Sequence, residues 1–192
     1  MVSSYPVQFD VDYPARPLNR VSTAFRLLAA IPIVILASLL SVVLGGAAVF
    51  VPLVAMILFR RKYPRWWFDW NLNLLRFSNR ITAYLTLLDD RYPSTDEEQA
   101  VHLDLAYPDA QHMNRWLPLV KWLLAIPHYV VLFFQWVAAV LSVIVAWFAI
   151  LFTGSYPRSL FDFVVGVLRW SNRVNGYAFT LVTDQYPPFS LR

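Results

Sequence analysis

YPRWWFDWNLNLLRFSNRITAY (63–84) and YPRSLFDFVVGVLRWSNRVNGY (156–177) are one segment written twice, 93 residues apart. Eleven of the twenty-two aligned positions are identical: Tyr63, Pro64, Arg65, Phe68, Asp69, Leu75, Arg76, Ser78, Asn79, Arg80 and Tyr84 meet Tyr156, Pro157, Arg158, Phe161, Asp162, Leu168, Arg169, Ser171, Asn172, Arg173 and Tyr177. An internal repeat of this kind decides the architecture before any local reading.

The register extends outward in both directions. Upstream, Tyr13-Pro14 answers Tyr107-Pro108, Asn19-Arg20 answers Asn114-Arg115, and Ala30-Ile31-Pro32 answers Ala125-Ile126-Pro127. Downstream, Asp90 and Tyr92-Pro93 answer Asp184 and Tyr186-Pro187. The chain therefore divides into a first repeat, 1–93, a polar connector, 94–99, and a second repeat, 100–192.

Each repeat opens on a strict alternation. Val7, Phe9, Val11 and Tyr13 alternate with Gln8, Asp10 and Asp12; Val101, Leu103, Leu105 and Tyr107 alternate with His102, Asp104 and Ala106. Period two with β-branched and aromatic residues predicts a half-buried strand. Late apolar pieces, Ala83 to Leu88 and Tyr177 to Val182, are the expected pairing partners of these strands.

Between strand and repeated segment lies a long apolar run. Residues 27–59 contain no acidic or basic side chain, and residues 122–157 contain only His128. The chain is 58% apolar and 15% charged, against about 45–50% and about 25% in an ordinary soluble domain. Runs of this length read as membrane spans. A single helix would be roughly 50–54 Å long, well beyond a hydrocarbon core of about 30 Å. Two crossings per run fit better, turning at Gly45-Gly46 in the first copy and near Ala138 to Ser142 in the second. Arg20, Arg26, Arg60, Arg61, Lys62 and Arg65 flank the first run; Arg115, Lys121 and Arg158 flank the second. Such flanks mark cytoplasmic ends. The expected fold is a mainly α membrane protein with four transmembrane helices, each repeat a short strand, a two-helix transmembrane hairpin and an interfacial amphipathic helix. It would be integral to the cytoplasmic (inner) membrane, with both termini cytoplasmic.

The repeated segment is that amphipathic helix, over about Arg65 to Arg80 and Arg158 to Arg173. At 100° per residue, Asp69, Asn73, Arg76 and Arg80 form one stripe, and Asp162, Arg169 and Arg173 repeat it with Gly166 in place of Asn73. Such a helix suits the membrane interface. Two roles are expected of the stripe. Asp69 would pair with Arg169, and Asp162 with Arg76, across the repeats. Arg76, Arg80, Arg169 and Arg173 would also contact lipid phosphates.

Seven of the ten tyrosines precede proline: Tyr5, Tyr13, Tyr63, Tyr92, Tyr107, Tyr156 and Tyr186. Proline ends elements and tyrosine favours the water–lipid boundary, which puts these pairs at the interface. His128 and Gln135 are polar residues inside the second run and suspects for function by position, with a helix-packing hydrogen bond as the plainer role. His102, His112 and His128 lack metal-ligand spacing, and Asp89-Asp90 reads as a solvated turn.

There are no cysteines, which removes thiolate metal sites, disulfides and cysteine nucleophiles. Residues 1–23 carry Asp10, Asp12, Arg16 and Arg20, unlike a cleavable leader. The net charge of +4 flanks lipid-length segments rather than lining a nucleic-acid face. No phosphate loop, nucleophile elbow or paired-carboxylate site is visible, so no cofactor is expected.

Tyr156 to Asp162, Leu168 to Val174 and Asp184 to Phe189 resemble the bacterial membrane family called domain of unknown function 4389. The resemblance covers nearly the whole chain as two copies; the first departs at Trp66-Trp67 and at Ser94. It implies a multi-pass prokaryotic membrane protein and carries no catalytic residues. The functional expectation is a non-enzymatic scaffold or accessory subunit, contacting anionic headgroups and assembling with a protein partner or with itself. A small transporter or channel built on the repeat is the alternative. A lipid-modifying enzyme using Asp69 or Asp162 ranks last.

Overall fold

The computed structural model describes residues 5–44, 47–95 and 97–192, with side chains described outside 40–50. The expected turn at Gly45-Gly46 and Asp96 of the connector lie outside the described residues.

The opening strands form as read. β1 (Val7–Val11) and β2 (Val101–Leu105) alternate buried and exposed residues. Their partners differ from expectation: they pair antiparallel with each other, Phe9 opposite Leu103 and Asp10 opposite His102. Ala83 to Leu88 and Tyr177 to Val182 are helix ends and turns instead. In each copy a leucine turns the chain there with positive φ, Leu87 at 65° and Leu181 at 54°. That conformation costs an L-residue roughly 1–2 kcal/mol. Burial of both side chains offsets it, at about 1.5–3 kcal/mol for a leucine.

In the first repeat the short α1 (Arg20–Ala24), capped by Asn19, leads into α2 (Arg26–Leu44) and α3 (Ala47–Ala55), which ends in a π-helical turn, Met56–Arg60. In the second, a 3-10 turn and α5 (Lys121–Leu124) lead into α6 (Ile126–Thr153). α6 runs unbroken for 28 residues, about 42 Å. The bend expected near Ala138 to Ser142 is absent because nothing interrupts the helix there: it is continuous from Pro127 to the left-handed Gly154 that caps it. The two-helix hairpin is thus not built in the second repeat.

The repeated segments are α4 (Arg65–Leu85) and α7 (Arg158–Ala178), five residues longer than read from the stripe. Pro64 and Pro157 sit at their N-caps. α7 folds back along α6, with Ala125 against Ala178 at one end and the short Gly154 to Pro157 turn at the other. α2 packs on α4 in the same way, Ala30 and Ile33 meeting Phe77, Ile81 and Tyr84.

The strands are exchanged between repeats. β1 of the first lies on α7 of the second, and β2 of the second lies on α4 of the first. Along α7, Phe161 meets Tyr13, Arg169 meets Phe9, and Gly176 gives Val7 its space: a Cβ there would lie 2.5 Å from Val7 Cγ2. The residues that face α6, Trp170, Val174 and Tyr177, project from the opposite side of the helix at 100° per residue. The molecule is therefore layered: sheet, then α4 and α7, then α2 and α6.

α7 does not present the exposed apolar faces expected of an interfacial helix. Beyond its first turn it is buried almost all round, enclosed by α6, β1, α4 and the C-terminal segment. Three Tyr-Pro tyrosines are likewise interior: Tyr5, Tyr63 and Tyr156 are buried in the main core. Only Tyr92, Tyr107 and Tyr186 of that set are prominently exposed.

Candidate functional site

The charged stripe makes cross-repeat contacts, but with other partners than the sequence suggests. Arg169 donates from Nε to the Phe9 carbonyl (2.8 Å), from Nη1 to the Leu191 carbonyl (3.0 Å) and from Nη2 to Asp10 (2.8 Å). Arg76 does the same from the other repeat, Nε to Leu103 O (2.9 Å) and Nη2 to Asp104 (2.7 Å). Asp69 and Asp162 do not reach across. They form ion pairs within their own first turns, with Arg65 at 3.7 Å and Arg158 at 3.1 Å. The reason is the exchanged strand, which lies over the helices and supplies Asp10 to Arg169 and Asp104 to Arg76.

Arg80 donates to the Ser94 carbonyl (2.7 Å). Arg173, almost fully buried, donates to the carbonyls of Arg192 (2.6 Å) and Ser190 (3.4 Å). These guanidiniums anchor backbone that enters from a strand or a tail. Where α4 and α7 cross, Asn79 and Asn172 exchange amide hydrogen bonds. Tyr13 donates to Tyr156 O at 2.5 Å, and Tyr107 to Tyr63 O, so both linkages obey the same pseudo-twofold relation.

His128 is buried; its Nδ1 accepts from Trp170 Nε1 (3.1 Å) and its ring stacks on Phe189 at 3.9 Å. That is the packing role. Gln135 is half-buried on α6. Among the described residues no three of His, Asp and Glu are grouped to hold a metal ion.

Two residues noted only as flanks of the apolar runs prove to be interior cations. Arg26 and Lys121, 95 apart in the repeat register, are 2% and 0% exposed. Lys121 Nζ bonds the Thr183 carbonyl (2.7 Å) and pairs with Asp184 (2.7 Å). Burial lowers its pKa, and the Asp184 hydrogen bond and charge act against that shift. Arg26 Nη1 bonds the carbonyls of Tyr84 (3.1 Å) and Asp89, and its guanidinium lies 4.4 Å from the Tyr84 ring centre. Its equivalent of Asp184, Asp90, is instead taken by Arg16 (2.9 Å) and the Asn19 amide. A basic residue just ahead of each apolar run was the sequence signal for this pair.

The surface is divided as sharply as the interior. On the sheet, Gln8, Asp10, Asp12, His102 and Asp104 face outward. On the far side, α6 exposes Phe133, Phe134, Leu141, Phe148 and Phe152, and α2 exposes Leu27, Leu28 and Ile35. α6 is long and apolar enough to cross a membrane, and only 17% of its most apolar window is buried. A soluble-core helix of that composition would be mostly covered.

These features define a tandem-repeat, mostly helical protein with a small sheet and a large apolar surface on one helix layer. The chain belongs to the family described as Domain of unknown function (DUF4389), which matches residues 20–95 and 116–190, one copy in each repeat. Both strands lie outside the matched stretches. Neither the curated proteins nor the solved structures offer a match to the chain.

Proposed function

We propose that this protein is a non-enzymatic membrane scaffold that lies flat in one leaflet, its α2–α6 layer in hydrocarbon and its sheet in water. The observation that carries this is the opposition of the two faces. β1, α7 and α6 run alongside one another. If α6 stood across the bilayer, the sheet would be carried to mid-membrane with Asp10, Asp12 and Asp104 outward. Each carboxylate would cost about 2.5–3.5 kcal/mol on the insertion scale. In-plane placement avoids that cost and still buries the exposed apolar side chains.

Four spans are therefore not part of this reading. Anionic headgroup contact also moves, because the stripe arginines are engaged internally. Arg60, Arg61 and Lys62 are exposed beside Phe59, which is 80% exposed, and they suit phosphate at the rim of the apolar face. Polar groups that join repeat to repeat support a scaffolding role over a transport path or a reaction centre.

Vesicle flotation tests the reading. The purified chain should float with phosphatidylcholine vesicles and bind more tightly when phosphatidylglycerol is added. Replacing Arg60, Arg61 and Lys62 by Gln should remove only that added preference. A chain that stays with the soluble fraction contradicts the proposal, and solute flux above that of empty vesicles favours the transporter.

A further inference from the structure

Between the two repeats a crevice of about 560 Å³ opens onto the apolar face. The start of α2 and the end of α4 form one wall and the middle of α6 the other. Its apolar lining includes Leu27, Leu87, Val140, Val143, Ile144 and Phe148. Of these Leu27, Val140, Ile144 and Phe148 are well exposed, so the mouth lies on the surface assigned above to hydrocarbon. A cavity of this size and character is typical of a small-molecule site.

What distinguishes it is polar. Thr23 and Arg26 line the same crevice, at 0% and 2% exposure. Thr23 Oγ1, Arg26 Nε and Arg26 Nη2 have no hydrogen-bond partner among the described residues. Buried N–H groups of a guanidinium without acceptors are uncommon and call for an explanation. The second repeat shows how the same position is completed internally: Lys121 has Asp184. In the first repeat the equivalent carboxylate, Asp90, pairs with Arg16, and the Asn19 amide bonds it as the Asn114 amide bonds Asp184. Asp89 and Asp90 still act on the Arg26 charge, but two of its N–H groups are buried without an acceptor in a residue that lines the apolar slot.

We propose that this crevice binds one anionic amphiphile, with an acyl chain between α2 and α6 and its oxyanion on Arg26 and Thr23. Two donors on one planar guanidinium suit a phosphate or a carboxylate equally. The head can therefore belong to a membrane phosphodiester or to a free fatty acid. The proposal rests on the apolar face being the lipid-facing one, yet its test does not require a bilayer.

Binding would be measured on the full chain in mild detergent by native mass spectrometry and titration, using phosphatidylglycerol, oleate, phosphatidylcholine and inorganic phosphate as separate probes. One equivalent of phosphatidylglycerol or oleate should bind, and whichever binds tighter identifies the head; phosphatidylcholine and inorganic phosphate should bind at least ten-fold more weakly. Arg26→Gln should weaken binding ten-fold or more, and Arg26→Lys should restore part of it. Val140→Trp, which fills the mouth without touching the charge, should do the same as Arg26→Gln and decides the matter if that variant does not fold. Equal binding of all lipids, or binding unchanged by Val140→Trp, overturns the site. A chain that fails to float with vesicles yet binds oleate through Arg26 refutes the in-plane scaffold and keeps the crevice.

Discussion

Asn79 and Asn172 donate to each other across the centre of the molecule, Nδ2 to Oδ1 at 2.9 Å one way and 2.7 Å the other. Each amide also donates to the carbonyl four residues earlier in its helix. The pair is the fixed point about which strands, arginines and tyrosines of one repeat find their partners in the other.

Replacing either asparagine by Leu strands a buried amide, which costs about 1–3 kcal/mol. Replacing both removes the unsatisfied group, so the double variant should lose less than the sum of the singles. Denaturant unfolding in detergent measures all three. Strict additivity would mean the two amides do not depend on each other.

Gly176 faces Val7, a residue of the other repeat, and its Cβ would need the volume of Val7 Cγ2. Gly176→Ala should destabilise by about 1–3 kcal/mol through overpacking, and Val7→Ala in the same chain should recover part of it. Rescue is informative because only the exchanged strand brings these positions together.

Arg169 and Asp10 form an ion pair, yet their substitutions should not be equivalent. Asp10 is 70% exposed on its side chain, so Asp10→Asn should cost under about 1 kcal/mol. Arg169→Gln also releases two backbone carbonyls and should cost about 1.5–3 kcal/mol or more, the scale of hydrogen bonds to a charged group. Equal losses in thermal unfolding would locate the stabilisation in the ion pair instead of the strand anchor.

Lys121 carries a signed pH dependence. Its folded pKa is lowered by burial, while an unfolded lysine titrates at 10.5. Between those two values the unfolded chain binds more protons, so the contribution of Lys121 to stability rises with pH. Measured against Lys121→Met, the wild type should improve as pH climbs toward 10.5. A shrinking difference would show the Asp184 pair outweighing desolvation.

The sequence contained the repeat, both amphipathic helices and both strands, because each of these is a local period. It did not contain the pairing of β1 with β2, a contact between residues some ninety positions apart that alternation alone cannot choose. From that omission followed the wrong partners for Asp69 and Asp162. The α6 bend rested on the length of the apolar run and, for its place, on symmetry with Gly45-Gly46 alone; the second copy has no glycine pair there and the helix runs through. Arg26 and Lys121 differ in residue type, so identity matching passed over them although they share a position.

The central claim is that α6 lies in one leaflet while the sheet faces water. With no native cysteine, single cysteines can be placed along α6 at Val130, Phe133, Val137, Leu141, Ile144, Phe148 and Phe152 and spin-labelled in vesicles. Oxygen and nickel-chelate accessibilities then give depth. At 100° per residue these seven positions share one face of α6, so an in-plane helix predicts one common shallow depth for all of them, with no trend from end to end. A profile deepest near Leu141, with Val130 and Phe152 reaching opposite surfaces, would contradict the account.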